Sequence, residues 1–285
     1  MNKKPFVKGT LQAFNKSIYK SAKHSNYFAI YDSLLDKYVS ENITIVEVGV
    51  AHGGSLFMWR RYFGKNARII GIDNNPAALY FKNNFEIFIG DQSDPQFWEE
   101  FFKTVGKIDV LIDDGGHKNS QQIVTVIASI PNIRNGGTLI VEDVHTSFWE
   151  TFGNPQKYSF FNFAVTKAAN LTKRHNSINI IDKSIARIFK IEFFDSIVAF
   201  HIDERNAMPG KFIVNNGKVI SDAKEAFIGK PLITLNIRKL IRYYSNKYMF
   251  LKKIKLVKIL IKRVLYLYYR IESKINEKNM KHLFK

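Results

Sequence analysis

The 285 residues contain no cysteine, which removes disulfides and thiolate chemistry and fits a reducing compartment. Nowhere do about 18 to 20 apolar residues follow one another without a charge, so no membrane-spanning helix is expected. The first 20 residues hold Lys3, Lys4, Lys8, Lys16 and Lys20 but no apolar stretch long enough for a signal peptide, and the expected location is the cytoplasm. Acidic residues are scarce in one region above all. From Leu235 to Lys285, 15 Lys or Arg stand against two Glu, so this stretch carries +13 of the chain's +18 and residues 1–234 carry only +5. A uniformly basic chain would suggest nucleic acid as partner; here the basicity belongs to a C-terminal element. The hydrophobic fraction of 46% with 14% aromatics is that of a globular protein, with one substantial core or one domain bearing an elaborate appendage.

The hydrophobic pattern changes period along the chain. Tyr27–Val39 places Phe28, Tyr31, Leu34, Leu35 and Tyr38 at helical spacing, as expected of an amphipathic helix packed on a body. Ile43–Val50 is short, β-branched and bounded by the turn Ala51-His52-Gly53-Gly54, as expected of a buried parallel strand. Further strands are expected at Arg68–Ile72, Glu86–Ile89, Ile108–Ile112 and Gly137–Val141, alternating with helices at Ser55–Tyr62, Pro95–Thr104 and Ser120–Ser129. That alternation predicts a doubly wound, mostly parallel α/β sheet. Right-handed crossovers then bring the strand C-termini to one rim. Ile188–Phe194 and Ile197–Ile202 read as an antiparallel hairpin at the sheet edge, and residues 150–185 as an insertion or lid. The expected organisation is an N-terminal helical segment (1–42), a catalytic domain (43–205), a connection (206–234) whose part from Phe212 to Ile233 has no clear period, and a basic amphipathic tail (235–285).

Two constellations lie on that rim. The first is Glu47-Val48-Gly49-Val50-Ala51-His52-Gly53-Gly54, a strand, a tight turn and a helix start that allow close approach of a ligand to free amides. It lacks the second glycine of the dinucleotide fingerprint, but Asp73 follows Gly49 by 24 residues at the end of the next strand, where an acidic side chain accepts from ribose hydroxyls. Glu47 lies inside an apolar strand, where an ionised carboxylate needs a partner; a cationic cofactor group, water with backbone donors, or local amides alone would satisfy it. The second constellation is Asp113-Asp114-Gly115-Gly116-His117 together with Glu142-Asp143-Val144-His145. Carboxylates that converge repel one another unless compensated, and a hard divalent ion such as Mg²⁺ suits their oxygens. Such an ion could lower the pKa of a substrate hydroxyl while His117 takes the proton.

The chain resembles the class I S-adenosylmethionine-dependent methyltransferases, and more narrowly the macrolide-sugar O-methyltransferases of the mycinamicin and macrocin type, a group that takes in cephalosporin hydroxylase-like sequences. The matching pieces are HSNYFAIYDSLL (24–35), VEVGVAHGGSLFMWRRYF (46–63), GIDNNP (71–76), GDQSD (90–94), IDDGGH (112–117), NGGTLIVEDVHTSFW (135–149) and FFDSIVAF (193–200). The resemblance implies S-adenosyl-L-methionine as cofactor, with Glu47, Gly49 and Gly53 on its methionine side, Asp73 on the ribose, and Asp91 and Gln92 near the adenine. It implies Asp114, Glu142 and Asp143 as Mg²⁺ ligands, Asp114 and His117 as the catalytic residues with His117 as base, and a sugar hydroxyl as nucleophile. Asp113 would support its neighbour, and His145 would touch substrate or a ligand residue. The usual DDGSH is DDGGH here, and the C-terminal tail lies outside the resemblance, so a glycan precursor is as fitting an acceptor as a glycosylated small molecule.

From Lys239 to Arg270, Leu240, Ile241, Ile254, Val257, Leu260, Ile261, Val264, Leu265 and Tyr268 alternate with lysines, and from Ile254 onward the apolar residues form one helical stripe. This is the pattern of an in-plane helix on an anionic membrane. A helix packed on the body or on a second copy of the chain is the alternative, and a phosphate surface of RNA or DNA the least favoured. For the whole protein, methylation of a non-sugar hydroxyl compound and a non-catalytic membrane- or nucleic-acid-binding module are the competing readings.

Overall fold

The structure, a computed structural model, describes residues 9–174, 185–208, 210, 213–218, 243 and 255–284. It divides into two units, Met1–Phe212 and Ile213–Lys285. In the first unit a seven-stranded sheet runs in the order β3-β2-β1-β4-β5-β7-β6. Its strands are β1 (Thr44–Val48), β2 (Arg68–Asp73), β3 (Glu86–Ile89), β4 (Ile108–Asp113), β5 (Ile133–Val141), β6 (Ile188–Phe193) and β7 (Val198–Ile202). The pairs among β1 to β5 are parallel, whereas β7 is antiparallel to both β5 and β6. The expected doubly wound sheet with an antiparallel edge hairpin is thus the observed one.

Two-residue alternation splits the core into two layers. Ile45, Ile69, Val110, Ile140 and Ala199 face one layer, beneath α1 (Thr10–Asn15), α2 (Tyr27–Leu35) and α3 (Gly54–Phe63). Val46, Ile70, Leu111, Leu139 and Phe200 face the other, beneath α4 (Pro95–Val105), α5 (Asn119–Ser129) and α6 (Phe160–Lys173). Helix ends follow local chemistry. Asp94 caps α4 by accepting from the Gln96 amide at 2.9 Å, Pro95 supplies the first turn, and Gly106 at φ 77° ends it, as helix starts and stops require. The α-helix predicted over Tyr27–Val39 stops at Leu35 and tightens into a 3-10 turn over Asp36–Tyr38.

The strand predicted to begin at Gly137 begins at Ile133, pairing with Ile108 before a register shift. Residues 134–136 are exposed and polar or glycine, so they carry no apolar period by which that extension could be read. The expected insertion contains α6, capped by Ser159, whose Oγ accepts from Asn162. Of the unassigned stretch 212–233 only 213–218 is described, and Leu240, Ile241 and Ile254 of the tail also lie outside the described residues. In the second unit, taken by itself, α7 (Lys255–Met280) is a 26-residue helix. No helix among the described residues is long and apolar enough to cross a membrane.

Candidate active site

The strand order reverses between β1 and β4, the place where an open α/β sheet leaves a crevice at its strand ends. Gly49 follows β1 at φ 94°, and a Cβ there would lie 2.0 Å from the Asp114 carbonyl oxygen. Only glycine lets the two loops meet so closely. Alternation then decides where each acid points. Glu47, Asp114 and Glu142 share the parity of Ile45, Ile112 and Ile140 and turn toward α2 and α3, whereas Asp113 turns the other way, toward Gln92.

Between these three carboxylates lies Lys23, a residue that the motifs do not include. Its Nζ is 2.6 Å from Asp114 Oδ2, 2.9 Å from Glu142 Oε2 and 3.9 Å from Glu47 Oε1, with the side chain 1% exposed. Burial alone would pull the ammonium's pKa down; Asp114, Glu142, Tyr31 and Glu47 outweigh it and hold it well above its ordinary value. The remaining oxygens find donors on α2 and α3. Tyr31 donates to Glu142 Oε1 at 2.7 Å, and Tyr27 to Asp143 Oδ1 at 2.6 Å. Glu47 accepts from Ser55 Oγ at 2.6 Å and from Trp59 Nε1 at 3.0 Å. Within the chain an indole, a hydroxyl and a lysine surround Glu47, side chains that the sequence reading did not name. Burial pushes Glu47 up to about 7 against the pull of Lys23, and burial likewise raises Glu142.

The sequence signal for this layer was muted. Tyr31 reads as an apolar position of a helical stripe and Tyr27 as the start of its segment, yet a buried phenol needs a partner. Burial is the main cause that raises both phenols, so each stays protonated as a donor. Three acids of one strand parity likewise demanded a cation from the α2 side, and Lys23 stands four residues before Tyr27.

His117 Nε2 lies 3.5 Å from Asp143 Oδ2 and 3.9 Å from Asp114 Oδ1. Ligand atoms of Asp114, His117 and Asp143 come within 4.8 Å of one another, as do those of His24, Asp143 and His145. Glu142 is in neither group; its two oxygens accept from Tyr31 and Lys23. His145 Nδ1 is hydrogen-bonded to Ser196 Oγ. Ala51, His117, Asp143 and Ser196 all have positive φ, between 45° and 64°, a cost for non-glycine residues that concentrates at this rim. Oxygen donors of Asp114, Glu142 and Asp143, with an ammonium seated between two of them, are a donor set that fits a hard cation.

Beside the acids is a crevice of about 200 Å³, lined among others by Gly49, Ala51, Asp73, Asn74, Asp91, Gln92, Asp114 and Gly116. Of the cofactor candidates it thus gathers Gly49, Asp73, Asp91 and Gln92. Asp73 Oδ2 accepts from the amides of Val50 and Ala51 at 2.9 and 3.0 Å, which ties the glycine turn to β2. Asp91 Oδ1 takes the Ser93 amide and hydroxyl, bonds that hold its carboxyl below the usual range. Gln92 is buried, donating to Asp113 Oδ1 at 2.9 Å and accepting from the Gly116 amide at 2.8 Å, so its amide braces the Asp113–His117 loop. Gly53 does not line the crevice. It stands at φ 75° against the Phe81 ring, which a Cβ would meet at 2.4 Å, and so serves the turn's packing; Glu47 faces Ser55 and Trp59 beneath it.

Residues 46–144 match the family model of a methyltransferase domain. The 8-demethyl-8-alpha-L-rhamnosyl tetracenomycin-C 2'-O-methyltransferase of Streptomyces olivaceus is 32% identical over 133 residues, 44% of this chain and 35% of its own length. The mycinamicin VI 2''-O-methyltransferase of Micromonospora griseorubida is 30% identical over 148 residues, 48% of this chain and 37% of its own. The chain therefore spans little more than a third of the length of these curated relatives. Among solved structures, the mycinamycin-pathway methyltransferase MycE, in complex with Mg and SAH, superposes with a TM-score of 0.64 at 19% identity, over 76% of this chain and 59% of its own. Residues 46–144, which hold the glycine turn and the carboxylates of β1, β4 and β5, thus match a methyltransferase domain, and over about half of its length the chain is similar to sugar O-methyltransferases of the mycinamicin type.

Proposed function

We propose that the protein transfers a methyl group from S-adenosyl-L-methionine to a sugar hydroxyl, with Mg²⁺ held by Asp114, Glu142 and Asp143. The observation that carries this reading is the convergence of those three acids and His117 beside the crevice at the β1/β4 switch point. When bound, the sulfonium supplies the methyl group and the ion polarises the acceptor hydroxyl. Asp73 and Asp91 on the crevice wall suit ribose and adenine polar atoms, while Gly49 allows the close approach. His117 accepts the hydroxyl proton at Nε2, where Asp143 stands beside it. The buried Gln92 holds the Asp114–His117 loop in place through Asp113 and Gly116, and Tyr27 and Tyr31 fix the orientation of Asp143 and Glu142.

A sugar as acceptor is supported by the relatives' substrates and by the rim. Trp149, half exposed, packs its ring 4.6 Å from that of His145, an aromatic side chain on which a sugar ring can stack. Calorimetry with S-adenosylhomocysteine, with and without Mg²⁺, tests the assignment on wild type, D114A and E142A. The expected result is cofactor binding in all three and Mg²⁺ binding only in wild type; Mg²⁺ affinity unchanged in both variants overturns the site.

The tail supports a membrane location for this activity. On α7, Leu260, Val264, Leu267, Ile271 and Ile275 recur at helical spacing, each between 40% and 63% exposed, and the same helix carries seven Lys or Arg against Glu272 and Glu277. An apolar stripe flanked by basic residues suits the surface of an anionic bilayer, where a lipid-linked glycan would be presented.

A further inference from the structure

The reaction as proposed uses Asp114 and Glu142 to hold an ion, yet a cation of the chain already sits between them. Lys23 Nζ is 2.6 Å from Asp114 Oδ2 and 2.9 Å from Glu142 Oε2, close to where an ion bonded to both oxygens would lie, given metal–oxygen distances of about 2.1 Å. The other Glu142 oxygen accepts from Tyr31, so both Glu142 oxygens already have a donor while the lysine stays. We propose that Lys23 is the resident cation of this site, and that Mg²⁺ binds by displacing its ammonium from Asp114 and Glu142. The proposal rests on the reading of Asp114 and Glu142 as ion ligands.

The local fold allows the exchange. The N-terminal segment is fastened on either side of Lys23. Before it, Ser17 Oγ donates to the Gly54 carbonyl at 2.7 Å and the Tyr19 ring packs on Phe57 and Phe81 at 5.0 and 5.1 Å. After it, α2 begins at Tyr27. Residues 20–24 between these anchors form neither helix nor strand, so the long side chain can withdraw without unpacking Tyr19 or α2. The consequence for specificity is direct. A monovalent ammonium on a tether has a high local concentration, and a competing ion must outbid it through higher charge. The site would then stay compensated and folded when empty of metal, and would admit a divalent ion while discriminating against monovalent ones.

Two measurements test this on the full chain. First, wild type is acetylated with sulfo-NHS-acetate and Lys23 modification is read by mass spectrometry against the exposed Lys82. Lys23 is expected to be protected without metal and to become reactive at saturating Mg²⁺, with saturation read by calorimetry on the same sample. Second, Lys23→Met is expected to bind Mg²⁺ about tenfold or more tightly than wild type, since a unit charge a few ångströms away is gone. Lys23 protection that persists under saturating Mg²⁺, or a Lys23→Met affinity equal to or weaker than wild type, overturns the displacement while leaving the ion site standing. No Mg²⁺ binding by either protein overturns the ion site itself, and with it this proposal.

Discussion

Replacing Glu47 with Gln tests the electrostatic core of the site without touching a proposed ion ligand. The side chain is completely buried, and an amide of the same shape keeps both contacts: its oxygen toward Trp59 Nε1, its NH₂ toward Ser55 Oγ. What changes is the charge. Burial raises the folded-state pKa of Glu47 from the ordinary 4.5 to about 7, so the folded protein holds this proton more tightly than the unfolded chain. A raised carboxyl contributes stability that is fully present below the unfolded value and lost as pH rises through the folded one. The rise is worth about 3 kcal/mol. Wild type should therefore lose about that much relative to Glu47→Gln between about pH 4.5 and about pH 8. Urea denaturation of both proteins at the two pH values reads the difference, and titrating groups remote from Glu47 cancel in the comparison. A stability gap that is the same at both pH values would refute the reasoning, because it would mean that Lys23 compensates the carboxylate in full.

Gly49→Ala should abolish S-adenosylhomocysteine binding or folding, since its Cβ would lie 2.0 Å from the Asp114 carbonyl oxygen at φ 94°. Gly136→Ala, at φ 84° but with nothing within 4 Å, should cost only the left-handed strain of about 1 kcal/mol, measured by thermal or urea unfolding; equal costs would show that φ and not the close approach dominates. For the tail, the full chain should float with anionic liposomes and a chain ending near Thr234 should not, and equal flotation of the two would remove the membrane proposal.

How much of this was legible in the sequence follows from which signals are local. Strands and helices that alternate in hydrophobic period declare themselves, so the parallel sheet and its edge hairpin could be read directly, and the Asp113–His117 and Glu142–His145 runs could be placed on one rim because both follow apolar strands. The partners of those acids could not. Lys23 lies in a stretch without period, and its meaning depends on a contact across 91 residues to Asp114 and 119 to Glu142. Gly53 shows the opposite failure: a motif position that suggested a ligand is explained by Phe81, a residue 28 positions later whose approach no local pattern announces. Gln92 lies between these cases, since its place on the crevice wall was foreseeable but its burial under the Asp113–His117 loop was not.

The charge pattern of the site constrains what the N-terminal segment is for. Strand parity forces Glu47, Asp114 and Glu142 onto one face, and two of the three are fully buried, so each needs compensation even when no ligand is bound. The sheet and its crossovers contribute no cation there; among the described residues, Lys23 is the one Lys or Arg paired with these acids. α2 contributes the phenols that finish Asp143 and Glu142. The segment before β1 is therefore part of the site's chemistry, because it carries the positive charge and two of the donors without which the acids of β1, β4 and β5 could not share one crevice. A chain beginning at the first strand would retain the parity that gathers the carboxylates but lose what makes that gathering tolerable.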